Sequence, residues 1–378
     1  MKDLKPVFVD SVDKIDPKYW EILDCGANVY YTPEFLKAFE TANPDIDFTY
    51  IIILEGEEPV AFANTQLVSI SVKTITKNIK MSAWLKRAIN WLLSTYRIKI
   101  LFVGNVFLSG EYGTFLRQDK NKIVTFNAIA KAVRSLSRSK RMHGIFVKDF
   151  KEDSLYITNH LEDHDYAIMQ VEPNMIIHLN AEWKTFEDYK TALKSKYRVK
   201  ANKADSTSQS LQAKLFTDKD VYTYKDELQA LYENTIANAN FNAQVLNLNT
   251  YINLKEIYHN KFIVKGYFLE GKLVGFLSAM VNQENLDAHF IGLDYSLNKE
   301  YAIYPRILND YVRLGIELGS KRINLGRTAS EIKSTLGAEP EDLICYFKHK
   351  RTFVNRLIKP FTSNIKIKSY KQHQPFKT

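Results

Sequence analysis

Two side chains on one short stretch can move a proton. Asp287 and His289 stand in Asp287-Ala-His289. Strand alternation turns residues i and i+2 to the same face. A carboxylate beside an imidazole raises its basicity and suits it to act as a base. A polar pair on an edge strand looks the same, and both readings stay open. Tyr301 and Tyr304 follow at the entry of the next helix. A phenol there can donate a proton, although a core tyrosine with a wet hydroxyl has the same signature. A second group lies within residues 321–349. Gly326 ends a short strand, Thr328-Ala-Ser-Glu331 has capping-box spacing, and Gly337 with Pro340 marks a stop. The spacing predicts a helix from Thr328. Its N-terminus, with Arg327 and Thr328, is a place that attracts anions. Plain helix punctuation reads identically. Lys333 can hold a phosphate or carboxylate, or only cover the helix with its stem. Glu111 and Tyr112 sit on the loop Ser109-Gly-Glu-Tyr-Gly113, the kind of segment that carries binding residues.

Several elements must position these groups. Helices are expected at 17–23 and 33–41, each with Pro near its start. The runs 48–54 and 60–70 form a hairpin around a Glu-Gly-Glu-Glu-Pro turn. Strands at 98–107 and 144–147 flank a helix at 124–136. A helix at 151–163 and strands at 166–171 and 174–179 follow. Thr185 caps a basic helix containing Tyr189, Leu193 and Tyr197. The series then runs again: helices at 220–238 and 248–259, a hairpin at 262–280, a strand at 286–293, a helix at 305–318 and strands at 322–325 and 343–347. The same order of elements therefore occurs twice, with no repeat at the level of residues. Residues 72–98 read as an insertion. Within it Met81, Trp84, Leu85, Ala88 and Leu92 share a helical stripe, with Lys80, Lys86, Arg87 and Asn90 away from it and Trp91 beside it. Such a helix lies in a membrane interface or docks on the protein's own core, and docking is the favoured expectation.

The 378 residues suffice for two ordinary domains, and their hydrophobic and charged content is that of a globular protein. Two cysteines, Cys25 and Cys345, argue against a disulfide scaffold or a cysteine zinc site, and the cytoplasm is the expected compartment. The eight histidines show no metal-ligand spacing, so no metal is expected. There is no signal-peptide core and no apolar run long enough to span a membrane. From Ile344 to Thr378 there are seven Lys, two Arg and no acid, which equals the whole net charge of +9. A tail of that kind suits anionic lipid or nucleic acid, or is a solvated end. The P-loop, dinucleotide-binding, HExxH and GxSxG motifs do not occur.

Asn324-Leu-Gly-Arg-Thr-Ala-Ser-Glu-Ile-Lys333 followed by Leu336-Gly-Ala-Glu-Pro340 resembles the last helix of the Fem-like branch of the GNAT acyltransferase superfamily. Asn28 to Phe39 resembles the N-terminal helix entry of those proteins, and Lys194-Ser-Lys-Tyr-Arg198 resembles their inter-lobe helix. The resemblance implies an α/β fold of two tandem GNAT-like lobes, each a mixed β-sheet flanked by helices. The expected division is 1–180, 181–350 and a basic tail at 351–378. It implies transfer of an acyl or aminoacyl group to an amine of a lipid, cell-envelope precursor or peptide. The protein would be cytoplasmic or peripheral on the inner face of the membrane. His289, Asp287 and Tyr304 become the catalytic candidates. Arg327, Thr328, Lys333, Glu111, Tyr112 and Tyr31 become the substrate- or donor-binding ones. The donor is acyl-CoA or aminoacyl-tRNA. The loop at 295–302 lacks the glycines that hold the coenzyme A pyrophosphate in GNAT enzymes, and this weighs against coenzyme A. Two other readings stay open: a non-catalytic GNAT-fold binding protein, and an RNA-binding module driven by the basic helix and tail.

Overall fold

Alternation along residues 58–71 already sets the layering of the first half. Ala61 and Ala63 turn to one face, where they join Phe126, Ile129 and Val133 in a buried cluster. Phe62 turns to the other, against Trp20 at 5.1 Å. A sheet apolar on both faces needs helices on both faces. In the computed structural model, residues 3–72, 74, 84, 87, 91, 95–238, 242–362, 367 and 369–377 are described. The chain splits into two units. The first is Met1–Val171 with Asn240–Leu246 and Asp342–Ile367; the second is Glu172–Ala239 with Asn247–Glu341 and Lys368–Thr378.

In chain order the strands are β1 (Leu4–Val9), β2 (Asp47–Glu55), β3 (Glu58–Ser71), β4 (Arg97–Val103), β5 (Thr114–Leu116), β6 (Gly144–Phe150), β7 (Ala167–His178), β8 (Gln212–Leu215), β9 (Phe262–Leu269), β10 (Lys272–Asn282), β11 (Asn285–Leu293), β12 (Arg322–Asn324) and β13 (Glu339–His349). The helices are α1 (Pro17–Leu23), α2 (Pro33–Ala42), α3 (Lys122–Ser139), α4 (Leu155–Thr158), α5 (Phe186–Ala192), α6 (Ser195–Thr207), α7 (Asp218–Thr223), α8 (Lys225–Asn238), α9 (Asn249–Tyr258), α10 (Tyr295–Tyr301), α11 (Ile303–Glu317), α12 (Ser330–Ser334) and α13 (Thr352–Thr362).

The first unit's sheet has the order β1-β2-β3-β4-β6-β13, with β5 on β3. Among the described residues its parallel pair is β4 with β6, joined through α3. The second unit's sheet runs β7-β12-β11-β10-β9-β8. Its parallel pair is β11 with β12, joined through α10 and α11. There α11 lays Ile307, Leu308, Tyr311 and Val312 on Leu277, Ala279 and Leu286. On the opposite face Tyr232 of α8 meets Phe290 at 5.0 Å, and Tyr251 of α9 meets Phe262 at 5.0 Å. Each unit is thus a mixed sheet flanked by helices, as expected.

Several details differ from the sequence expectations. The two strands expected around Glu172-Pro173 are one strand, β7, which runs through the proline. The helix capped by Thr185 keeps its capping box but breaks at Leu193, giving α5 and α6. The loop expected at 295–302 is the helix α10. The chain also returns where a simple division at 180 and 350 does not expect it. The strand segment 342–349 and α13 belong to the first unit. The stretch read as a tail is tied to the second: Lys194 N–H donates to the Pro375 carbonyl at 2.8 Å, and Lys377 N–H to that of Ala192 at 3.0 Å. Gly337, at φ +87°, is the surface on which the Phe376 ring lies, and a side chain there would collide with it. Of the stripe at 81–92, Met81, Leu85, Ala88 and Leu92 lie outside the described residues, as do Lys80, Lys86 and Asn90. Trp84, Arg87 and Trp91 are helical and exposed, the two tryptophans by 71% and 79%, so neither indole docks on a core.

Candidate active site

Strands β11 and β12 run side by side for only three rungs, the last being Asp287 opposite Asn324. Beyond it β11 continues to Leu293 while β12 stops, so the two part. Ligands of parallel sheets bind outside the carboxyl ends of strands that separate in this way. On the other side of β11, Leu277 pairs with Ile291 and Ala279 with Ala288. His289 and Phe290 therefore share one partner, Ser278, in a β-bulge. The bulge is pinned: Ser278 Oγ accepts from Phe290 N–H at 3.0 Å and donates to its carbonyl at 2.7 Å, and Tyr311 donates to the Ser278 carbonyl at 2.9 Å. It interrupts the plain alternation expected of Asp287 and His289.

Burial sets the chemistry of His289. Its ring lies beside Phe262 at 5.9 Å, and its pKa is lowered to about 3. The raised basicity expected from Asp287 therefore does not arise. The imidazole is neutral at any ordinary pH because burial disfavours the charged ring. Burial raises the Tyr304 phenol well above its usual range, so it keeps its proton and remains a donor.

The segment after β12 is also built differently from the expectation. Gly326, Thr328 and Ala329 take φ of 69°, 66° and 49°. The helix starts only at Ser330, with Ala329 as its N-cap and no side-chain cap. The capping box at Thr328 does not form. In its place the buried Lys333 reaches back and donates to the carbonyls of Leu325 at 2.7 Å, Gly326 at 3.1 Å and Arg327 at 2.6 Å. The turn presents carbonyl oxygens to an ammonium, the reverse of an anion-binding N-terminus. Burial lowers the Lys333 pKa to about 7.

An apolar pocket of about 290 Å³ opens among α6, the start of α11 and α12. Leu193, Pro305, Leu308, Ile332 and Leu336 line it, and exposed Lys200, Lys203 and Lys299 stand at its rim. Its walls are braced. Asn309 on α11 donates to Ala201 O and Asp205 Oδ1 on α6, both at 3.0 Å. Arg313 bridges Asp310 at 2.6 Å and Asp205 at 2.5 Å. The fully buried Asp310 also takes Lys265 at 2.9 Å, Arg306 at 3.1 Å and the Tyr267 hydroxyl at 2.9 Å. Burial would raise its pKa, but these cations outweigh it and hold the carboxyl below its ordinary range. The C-terminal segment joins the wall where Tyr197 meets His373 at 3.0 Å.

The corresponding place in the first unit, at the carboxyl ends of β4 and β6, is filled. Lys148 donates to the Asn105 carbonyl at 2.9 Å and to that of Leu108, and pairs with Asp149 at 2.6 Å, all buried. Asp149 also accepts from the Cys345 thiol at 3.3 Å. The three candidates of this unit are structural neighbours. Tyr31 donates to the Thr114 and Glu111 carbonyls at 2.8 and 3.1 Å. Glu111 receives Lys151 N–H at 3.0 Å and the Ser154 hydroxyl at 2.6 Å. The Tyr112 ring stacks on Tyr30 at 4.0 Å. In the second unit Arg327, Thr328 and Lys333 come together around one turn, three residues beyond the Asp287–Asn324 rung. The sequence reading missed the lysine rim and the Asp310 network. The spacing of Lys196, Lys200 and Lys203 along one helix, and of Arg306, Asp310 and Arg313 along another, was the available signal.

No protein-family model matches the chain, and a search of curated proteins finds no match. Among solved structures the chain is similar to FemX, with TM-score 0.54, 9% identity and coverage of 94% of this chain and 100% of that one. It is similar to a tandem GNAT protein from the clavulanic acid biosynthesis pathway, with TM-score 0.55, 10% identity and coverage of 92% and 98%. It is similar to L-PGS from Bacillus licheniformis, with TM-score 0.52, 10% identity and coverage of 93% and 98%. At such identity the likeness is one of fold: a mixed α/β arrangement shared with these structures, the tandem GNAT protein among them.

Proposed function

We propose that this protein is an acyltransferase that moves an acyl or aminoacyl group from a phosphate-bearing donor to an amine. The observation that carries the reading is the pocket among α6, the start of α11 and α12, apolar within and rimmed by Lys200, Lys203 and Lys299. Apolar walls suit an acyl or base moiety, and lysines suit phosphate. Chemistry of this class needs mainly positioning and polarisation. The amine nitrogen attacks the donor carbonyl carbon, the ester or thioester bond breaks, and the leaving oxygen or sulfur receives the proton the amine sheds. Tyr304, which holds its proton, is the proposed donor to that leaving group. Asp287, at the last shared rung, is the better candidate for accepting the amine proton, since His289 is too weak a base, and exchange with solvent then returns a proton from the carboxyl to the Tyr304 phenolate.

Aminoacyl-tRNA is the favoured donor in this reading. Helix α10 stands where coenzyme A enzymes carry a glycine loop, and the lysines of α6 suit a polyanion. The acceptor is proposed to be an amine at the cytoplasmic face of a membrane, on a lipid or envelope precursor. Among the described residues no helix is long and apolar enough to cross a membrane, so contact would be peripheral. Filter binding with a mixed pool of charged tRNAs and with acyl-CoA, followed by mass spectrometry of products on added amines, tests the reading. Retention of charged tRNA with a new amide product supports it. Failure to retain either donor refutes it.

A further inference from the structure

Four ends of secondary structure meet at one edge of the first unit's sheet. Ser71, the last residue of β3, pairs with Arg97, the first of β4. Ile100 of β4 pairs with Gly144, where β6 begins, and Gly144 pairs with His349, where β13 ends. His143 ties the edge together: its N–H donates to the Lys99 carbonyl at 2.8 Å, its carbonyl accepts from Lys350 N–H at 2.8 Å, and its ring meets the Tyr96 hydroxyl at 2.6 Å. From β3 to β13 is three strand spacings, about 14 Å at roughly 4.8 Å each. Two helical stretches leave this same edge. One lies between β3 and β4, where Trp84, Arg87 and Trp91 are each helical and exposed. The other is α13, which follows β13. It is anchored by Asn355, which donates to the Asp165 carbonyl at 2.8 Å and accepts from His349 N–H at 2.7 Å. Anchored so, α13 turns Phe353 and Leu357 outward, 74% and 56% exposed.

We propose that this edge is a membrane-contact face, on which α13 and the Trp84/Trp91 stretch lie in the interface of an anionic bilayer. Four large apolar side chains left in water need an occupant, and the charges around them select it. Arg87, Arg97, Lys99, Arg141, Lys350, Arg351 and Arg356 are all exposed there, and no acid occurs from Ile344 onward. Two acids are close to this edge: Asp47, paired to Lys140 at 2.5 Å, and Asp165, whose carbonyl anchors Asn355 and whose charge acts on Lys348. Exposed indoles, arginines and the aliphatic Leu357 match the headgroup–acyl boundary better than a stack of bases. The proposal deepens the functional reading by saying where the chain meets a lipid-borne amine. It rests on that reading only for its purpose.

The test is sedimentation of the full-length protein with phosphatidylcholine vesicles, with and without phosphatidylglycerol. Binding is expected only with phosphatidylglycerol. Phe353→Ser with Leu357→Ser, and Trp84→Ser with Trp91→Ser, should each weaken it roughly tenfold, at unchanged melting temperature. Arg351→Glu with Arg356→Glu should abolish the anionic preference. Wild-type protein that stays in the supernatant overturns the proposal, as do variants that sediment like wild type. A dimer in solution that the same substitutions dissolve would assign the face to a second copy, and RNA binding lost with them would assign it to nucleic acid; either result overturns the proposal too. Donor retention through Lys200, Lys203 and Lys299 is measured without vesicles, so failure of either idea leaves the other standing.

Discussion

The ammonium of Lys333 lies 2.6 Å from the carbonyl oxygen of Arg327, and it holds the carbonyls of Leu325 and Gly326 as well. The turn beyond the last β11–β12 rung is therefore shaped by a lysine that comes later in the chain. Two consecutive non-glycine residues there, Thr328 and Ala329, accept left-handed backbone, a strain that three charge-assisted hydrogen bonds can offset.

This predicts a pH signature. Unfolded, Lys333 keeps its proton up to its ordinary value of 10.5; folded, it releases it at about 7. Between those values the unfolded chain binds more protons, so stability rises with pH. Below about 7 both forms are protonated and the slope vanishes. Chemical denaturation across this window should show a rise of up to about 1.4 kcal/mol per pH unit from this group. Lys333→Met should be less stable at neutral pH and should lack that slope. A variant with an unchanged slope would remove Lys333 as its source.

Asp310 is expected to matter for stability in the opposite direction of charge. It is the one carboxylate shared by Lys265, Arg306 and Arg313. Asp310→Ala leaves three cations facing one another in a half-buried site, which should cost about 3 kcal/mol or more. Asp310→Asn keeps the shape and loses the charge, so it should fall between. Urea midpoints of the three proteins decide the order.

The hairpins 48–70 and 262–280, and the helices at 33–41 and 305–318, were legible because their signals are contiguous. Alternation, turn residues and helical spacing all lie within one element. Lys333 and Asp310 were not legible, because their partners are fixed only when separate elements meet. The capping box at Thr328 misled for the same reason. Its local signal was sound, but Lys333 captured the carbonyls of the preceding turn. Pro173 misled differently, since a proline can sit inside β7 where a ladder N–H is not required. The unit boundaries escaped because β13 and residues 370–377 contact chain that is far away in sequence. Of the candidate site, Asp287, Tyr304 and Lys333 were named from residue type, whereas the lysine rim needed α6 and α10 to be brought together.

For His289 the prediction concerns the shape of the pH–rate profile. Held near pKa 3 by burial, it does not titrate between pH 5 and 8. Any acid limb in that range belongs to another group, and it should survive in His289→Gln. Asp287→Asn should lower kcat by roughly 10²-fold or more if the carboxylate takes the amine proton. Loss of the limb in His289→Gln, with full activity in Asp287→Asn, would exchange the roles.

The lysine rim is tested by salt. If Lys200, Lys203 and Lys299 each meet a phosphate, donor affinity falls with ionic strength as counterions are released. The slope of log affinity against log salt should shrink by roughly 0.7 for each lysine changed to Gln. The side chains are exposed at the rim, so melting temperatures should barely move. The apolar floor behaves differently. Leu308→Ala should weaken binding at every salt concentration alike and lower stability, because Leu308 also belongs to the core under α11. A triple glutamine variant with the wild-type slope would detach the pocket from any anionic donor and leave it a feature of packing.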